Sequence, residues 1–501
     1  MIAVRRALLC LGLLLALGCC GRLGNQDRLA EARASGSVRI GITGTSPPWS
    51  SFNELHEPVG YDVAVARELA SRLGIAHPVF VPDSFKNFVE GLRTDKYDLV
   101  LNDLTPTPER AEQVDFGIPY GVEDLRLFVV ADNSSIRDRD DLAGRRVGVT
   151  TGSSNEAWTR RFEPRAIARG YENGALAFRD LSLGRIDAAV FSHFAGLKYA
   201  REEGLEVREV GPPLSFQLSA PAMAKDQPKL RSAVNAAISQ MRSSGEIDRI
   251  ARQWVGVDYL MSQAIRIGER EAAETPRPQT SPGSGLSKVL HQSLPMLAPA
   301  VAITLWLGFS SFILGSVLGM LVALMRVSGS AALRWIGFAY VSVFRGTPLL
   351  VQLLLIYFGL PELGVQLAPI PAAMLALTVF AAAYLSENFR AGILAVDRGQ
   401  SEAATSLGMG YWLTMRRVIL PQAFRIALPA TGSRLIALMK DTSLASIVTV
   451  AELTRLADEV GATTFRYVEA FLVVGLIYWI INQLLTIGQL ALEHRLSRHL
   501  R

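Results

Sequence analysis

Beyond about residue 290 the chain stops reading like a soluble protein, and that change constrains everything else about its fold. Five apolar stretches follow one another there, at 296–324, 332–360, 370–393, 425–448 and 468–492. A helix needs about 20 predominantly apolar residues to cross hydrocarbon, so each is long enough to span with some tilt or a break. Gly346 and Pro348 fall inside the second stretch and predict a broken helix there. Residues 290–501 therefore read as an all-α membrane domain of five transmembrane helices. Charged residues are only 19% of the whole chain, although Arg, Asp and Glu crowd its first half. Two different materials are joined in one polypeptide.

The basic residues orient the helices. Arg326 and Arg334 occupy the first loop, Arg398, Arg416 and Arg417 the third, and Arg495, Arg498 and Arg501 the tail, whereas the loop at 361–368 has none. The positive-inside rule makes the basic loops and the C-terminus cytoplasmic. An odd number of spans then puts the first half outside. The N-terminus agrees: Arg5 and Arg6 precede an apolar run over 7–17, too short to span comfortably, which reads as a secretory signal within 1–20. That run ends Ala16-Leu17-Gly18-Cys19-Cys20, which resembles a bacterial lipoprotein processing site. Cleavage with lipidation at Cys19 or Cys20 and an uncleaved anchor helix both remain open. The expected location is the bacterial cytoplasmic (inner) membrane, with multiple passes. All three Cys lie in the first 20 residues, which excludes a disulfide scaffold and a cysteine-built zinc site. A net charge of +5 is too mild for a nucleic-acid binder.

Residues 37–259 alternate short apolar runs with amphipathic helical patterns. Residues 38–42 and 99–101 read as strands, and between them Val65, Leu69 and Leu73 recur at helical spacing. Strand–helix–strand repeats argue for α/β layers with largely parallel sheets. Residues 262–288 end in a stretch rich in Pro, Ser, Thr and Gly, the composition of a flexible linker.

Several segments carry a resemblance. Residues 60–70 (GYDVAVARELA), 97–110 (YDLVLNDLTPTPER), 114–120 (VDFGIPY) and 141–154 (DLAGRRVGVTTGSS) occur in order and resemble the polar amino-acid substrate-binding proteins. The resemblance covers nearly all of 37–259. It implies a bilobed periplasmic-binding-protein domain: two α/β lobes, two hinge strands, ligand in the cleft, and a second lobe over about 122–213. Independently, Thr107-Pro108-Glu109-Arg110 has the chemistry of a helix start, and an Arg in that turn can hold a carboxylate through two parallel hydrogen bonds. The resemblance gives Arg110 the α-carboxylate of an amino acid. Gly152-Ser153-Ser154 precedes another helix, with Ser153 and Glu156 at capping-box spacing, and exposes backbone N–H groups to an anion. Ser153 and Ser154 match ligand-contacting positions, Thr105 a hydroxyl contact and Phe85 a stacking ring.

Departures bear on specificity. The family usually has an Asp for the α-ammonium five residues after the Asp that is here Asp187; this chain has Ser192. Thr43 stands where some relatives carry an acid, and Asp103 where relatives carry Ser, Gly, Gln or Asn. A desolvated ammonium needs a carboxylate partner. Asp103 or a shifted neighbour is one expected source; a ligand without a free α-ammonium is the other.

The second half resembles the permease subunit of amino-acid ABC importers, on residues 344–352 (FRGTPLLVQ), 399–408 (GQSEAATSLG) running to 420–423 (LPQA), and 440–444 (KDTSL). The resemblance implies that Glu402, Ala403, Ala404 and Gly408 belong to a short cytoplasmic coupling helix that docks on an ATPase subunit. Small residues allow close approach, and Gly408 can end such a helix. Glu387, Arg390, Lys440 and Asp441 fall in or beside the spans, where isolated charges are expensive. Glu387 can pair with Arg390 and Lys440 with Asp441, either lining a polar cavity or as structural ion pairs.

No GxxxxGK[ST] loop occurs, so ATP and Mg belong on a separate subunit and this chain binds no cofactor or metal of its own. Five spans are too few for a whole pathway, so the family pattern implies a homodimer with two ATPase subunits. The combined expectation is a receptor–permease of an ATP-driven importer for polar amino acids, not an enzyme. A ligand-gated channel lacks support, because a TVGYG-type filter is absent. An enzyme built on the bilobed domain lacks a catalytic pair, and His193 stands alone.

Overall fold

The computed structural model describes residues 27–256, 260–274 and 285–497. The signal segment with Cys19 and Cys20, the middle of the expected linker, and Arg498 and Arg501 lie outside the described residues. The chain divides into two compact units. One comprises the chain up to Leu127 with Phe191–Glu202 and Pro212–Gln279; the other comprises Phe128–Val190, Glu203–Gly211 and the chain from Thr280.

The first unit holds the first α/β lobe. Its sheet runs in the order His77–Pro82, Ser37–Ile42, Leu99–Val100, Ala222–Ala224, Val114–Phe116. Ser37–Ile42 is parallel to both neighbours, as strand–helix–strand crossovers require, and the returning strand Ala222–Ala224 is antiparallel to both of its own. The helix Tyr61–Arg72 buries Val65 and Leu69, with Leu73 at its C-cap also buried. It starts at Gly60, whose φ of 126° and whose approach to the Trp49 carbonyl leave no room for a Cβ.

Two boundaries differ from the sequence reading. Residues 191–202 were expected in the second lobe but pack with the first unit: the Tyr199 hydroxyl donates to the Thr45 carbonyl at 2.7 Å, and Phe194 meets Trp49 edge-on. The expected linker is helical at its start. Met261–Glu274 buries Met261 and Ile265 on one edge, and Ser262 donates to Asp248 through both its N–H and its hydroxyl.

The second unit holds most of the second lobe and the membrane helices. The sheet of the second lobe runs Ile167–Tyr171, Arg146–Thr150, Ala188–Ser192, Gly121–Val130, Val207–Ser219. Gly121–Val130 and Val207–Ser219, where the hinge strands were expected, are also where the chain passes between the units. Among the described residues, three helices are long and apolar enough to cross a membrane: Val289–Val327, Pro369–Leu394 and Tyr467–Arg495. A fourth crossing arises if Ala331–Gly346 and Leu349–Leu363 count as one span, and these two are bent by 102° at the Gly346–Pro348 break. Leu420–Asp441 is long enough at 22 residues but carries Arg425, Arg434, Lys440 and Asp441, which keeps it out of that count. Gly315 and Gly319 let the first of these helices approach Ala381, Ala382 and Leu385 of Pro369–Leu394, the small-residue contact by which membrane helices pack closely.

Candidate functional site

The first unit gathers most of the expected ligand residues around the C-terminal ends of its parallel strands, where open α/β sheets bind ligands. Thr107 caps the four-residue helix Pro108–Ala111 by accepting from the Arg110 N–H at 3.3 Å, with Pro108 in the first turn, as the sequence predicts. That start turns Arg110 inward: it is 2% exposed, donates from Nη1 to the Thr105 carbonyl at 2.7 Å, and lies with its guanidinium 5.3 Å from the centre of the Phe85 ring. Burial lowers its pKa to about 10, against the raising pull of Asp103. Thr43 joins a polar knot, its N–H donating to Asn102 Oδ1 at 2.6 Å, with Ser50 donating to the same oxygen.

Asp103 follows directly, in the left-handed region at φ 49°. Its N–H donates to the Tyr120 hydroxyl at 3.2 Å, and its carboxylate accepts from the Ser219 hydroxyl. The Glu123 carboxyl faces both Asp103 and Ser192. Asp62, fully buried, lies beside Tyr120 and Asp103. Burial raises the carboxyl pKa of all three acids, and for Asp62 and Glu123 the negative charge of Asp103 raises it further. Asn102, Ser50, Asp62 and Glu123 were missed by the sequence reading. Glu123 carried a signal: an acid between the apolar residues Val122 and Leu125, both buried, in the strand Gly121–Val130.

Ser153 and Ser154 belong to the second unit. Ser153 caps Ser154–Phe162 by accepting from the Glu156 N–H at 3.2 Å. Glu156 Oε2 reaches back to the Gly152 N–H at 2.7 Å, one residue beyond the usual capping box. The Gly152 N–H expected to face an anion is thus satisfied internally, because Glu156 is buried and needs donors.

The model of bacterial extracellular solute-binding proteins, family 3, matches residues 38–257, and that of the binding-protein-dependent transport system inner membrane component matches 315–498. The probable amino-acid ABC transporter permease protein YckA of Bacillus subtilis (strain 168) is 39% identical over 42% of this chain and 94% of its own length. The L-cystine transport system permease protein TcyB of the same organism is 45% identical over 41% of this chain and 88% of its own. This chain belongs to the amino-acid ABC transporter permeases. A cysteine-binding protein from Campylobacter jejuni is 25% identical, with a TM-score of 0.45, over 48% of this chain and 98% of that one. The protein is a multi-pass membrane transport subunit carrying a solute-binding domain and a permease domain on one polypeptide.

In this permease the segment with the Glu-Ala-Ala sequence forms the helix Arg398–Ser406, ended by Gly408 at φ 77°. Ala404 is buried as its anchor, while Glu402, Ala403 and Gly408 are exposed. Leu407, Tyr411, Trp412 and Leu413 add exposed apolar surface beside it, which the sequence reading did not single out. Among the charges of the spans, Arg390 donates to Glu387 at 3.0 Å as expected, and Arg326 and Arg345 converge on the same carboxylate. The expected Lys440–Asp441 pair is replaced: Asp441 accepts from Arg434 at 2.8 Å, because Arg434 lies two turns earlier on the same face of the helix, held over the rings of Tyr384 and Phe380.

The second lobe meets the permease within the second unit through buried polar groups. Arg185 donates to Asp180 at 3.0 Å and to the Tyr357 carbonyl at 2.9 Å, and the Tyr357 and Tyr171 hydroxyls both donate to Asp180. Arg179 pairs with Glu362 at 2.6 Å.

Proposed function

We propose that this chain is the receptor and translocation subunit of an ATP-driven importer for polar amino acids. It pairs as a homodimer with two copies of a separate ATPase subunit that holds ATP and Mg. The observation that carries this reading is the presence of both family matches, solute-binding and permease, on one chain. Arg110 supplies a buried cation for a ligand carboxylate, and the acids around Asp103 supply the negative counterpart. The exposed helix Arg398–Ser406 is the surface offered to the ATPase. The basic loops orient that surface to the cytoplasm and the receptor domain to the outside. L-cystine, named for one relative, and L-arginine and L-glutamine, as polar amino acids, are the first ligands to try.

The test is transport. The full chain is purified from native membranes with its ATPase, reconstituted in proteoliposomes, and supplied with each labelled amino acid. Uptake that requires ATP, together with one ATPase subunit per chain, is the expected result. Uptake independent of ATP, or an ion current on ligand addition, overturns the reading.

A further inference from the structure

Three carboxyl groups sit together in the first unit, with the cation Arg110 beside Asp103. Asp62 comes from the helix Tyr61–Arg72, Asp103 from the turn after Leu99–Val100, and Glu123 from the strand Gly121–Val130. Asp62 is fully buried against the Tyr120 hydroxyl and the Asp103 backbone; Glu123 is 6% exposed and its Oε1 lacks a hydrogen-bond partner. Buried acids normally have every oxygen satisfied, so this atom calls for an explanation. Other groups that face them include the hydroxyls of Tyr120, Ser219 and Ser192, with the Tyr199 ring near Glu123. None of these is a cation, and the Arg110 Nη1 is engaged by the Thr105 carbonyl.

Two carboxyls in contact cannot both ionise without a cation between or beside them. Arg110 balances the charge of Asp103 but not of Glu123 as well, so without a ligand ammonium the Asp103–Glu123 pair keeps a proton. A ligand ammonium group supplies three donors and a positive charge, which satisfies the orphaned Glu123 oxygen and lets the proton go to solvent. Ser192 is too short and carries no charge to do this, but it presents its hydroxyl to Glu123 and so holds that carboxyl toward the site.

We propose that Glu123, paired with Asp103, is the ammonium-holding group of the receptor domain, and that an ammonium-bearing ligand exchanges for a proton there. This rests on the receptor reading above. The ammonium is that of an α-amino acid or that of a side chain. The chemistry is the same, and the probes below separate the two.

The test is titration calorimetry of the full chain in lipid nanodiscs with L-cystine, L-arginine, L-glutamine and, for a side-chain ammonium, L-lysine, each in two buffers of different ionisation enthalpy at pH 6 and pH 8. Release of about one proton per ligand at pH 6 is expected, since a pair sharing one proton has one to give. Glu123→Gln is near-isosteric and mimics the protonated group, so it should melt at or above the wild-type temperature. It should bind the probe about tenfold or more weakly, as expected on losing a hydrogen bond to a charged group, and release no proton. The probe's α-hydroxy analogue should bind Glu123→Gln and wild type alike if the α-ammonium is the group held. It should retain the difference if a side-chain ammonium is held. Wild-type affinity and proton count in Glu123→Gln, with binding still abolished by Arg110→Ala, overturn the assignment and leave the receptor reading standing. Absence of binding by every probe overturns both.

Discussion

Arg455, near the start of the helix Leu453–Thr464 in the permease, donates from Nη2 to the carbonyl oxygen of Gly170 on the edge strand of the second lobe, at 2.5 Å. The same nitrogen donates to Thr151 Oγ1 at 3.1 Å, and Arg455 is only 8% exposed. A side chain at position 170 would collide with this guanidinium, since a Cβ there lies 2.5 Å from Nη2. One glycine therefore keeps a strand edge open so that an arginine of the membrane domain can reach its backbone. Glu459 supports the arrangement by accepting from Arg455 and from Arg160 of the lobe, both at 3.1 Å.

This contact should carry signal rather than affinity. Arg455→Ala and Gly170→Ala are expected to leave amino-acid binding by the intact chain within about twofold. Both should reduce ligand-stimulated ATP hydrolysis in proteoliposomes several-fold. A hydrogen bond to a charged group is worth about 1.5–3 kcal/mol, so losing it, or crowding it with a Cβ at position 170, weakens the hold of the permease on the lobe. Unchanged stimulation in both variants would show that the contact is incidental to coupling.

Arg110 should set affinity. Arg110→Ala removes the buried cation whose charge favours ionised Asp103. The loss of hydrogen bonds to a charged carboxylate is worth about 1.5–3 kcal/mol, or roughly 10- to 150-fold in the dissociation constant. Arg110→Lys keeps the charge but not the planar fork and should recover only part of it. Calorimetry on both variants checks the order.

The acid cluster predicts a pH dependence with a definite sign. Asp62, Asp103 and Glu123 have folded pKa values raised by burial, so the native state holds protons that the unfolded chain gives up above pH about 4. Their stabilising contribution is complete below the unfolded values and is lost as pH rises through the folded ones, by about 1.4 kcal/mol per pH unit for each group titrating. Asp187, held low by the hydrogen bonds of Arg146, acts in the opposite direction and only at more acidic pH. Melting of the ligand-free chain should therefore fall as pH rises from about 4 toward neutrality, and Glu123→Gln should flatten that fall. A melting temperature that rises over the same range would contradict it.

Much of this was legible in the sequence because local chemistry decided it. Thr107-Pro108-Glu109-Arg110 can start a helix by itself, and it does so with the arginine turned inward. Gly346 and Pro348, two residues apart, mark the break between Ala331–Gly346 and Leu349–Leu363. What sequence could not supply were relations across long separations. Glu123 and Ser192 are 69 positions apart and meet only because two strands lie side by side. Asp441 chose Arg434 over adjacent Lys440 because successive residues on a helix point to different faces, whereas residues seven apart return to the same one. The helix at Met261–Glu274 was hidden by the Pro- and Ser-rich composition that follows it, although Met261 and Ile265 stand at helical spacing.

The helix Arg398–Ser406 gives the sharpest separation between binding and energy supply. Its buried residue, Ala404, ties it to the rest of the permease, while Glu402, Ala403 and the 81%-exposed Leu407 face outward. Charge or bulk on the outward side should disturb a partner without disturbing the fold. Ala403→Glu and Leu407→Asp are expected to abolish recovery of the ATPase with the chain while leaving amino-acid affinity and melting temperature unchanged. Ala404→Glu, by contrast, buries an unpaired charge and should lower the melting temperature as well. Gly408→Ala lies between the two. At φ 77° a side chain is strained by about 1 kcal/mol, so it should loosen the end of the helix and weaken, rather than abolish, the association. Co-purification and thermal melting of these four variants distinguish a docking helix from an ordinary surface helix: the latter would show no difference in ATPase recovery between Ala403→Glu and wild type.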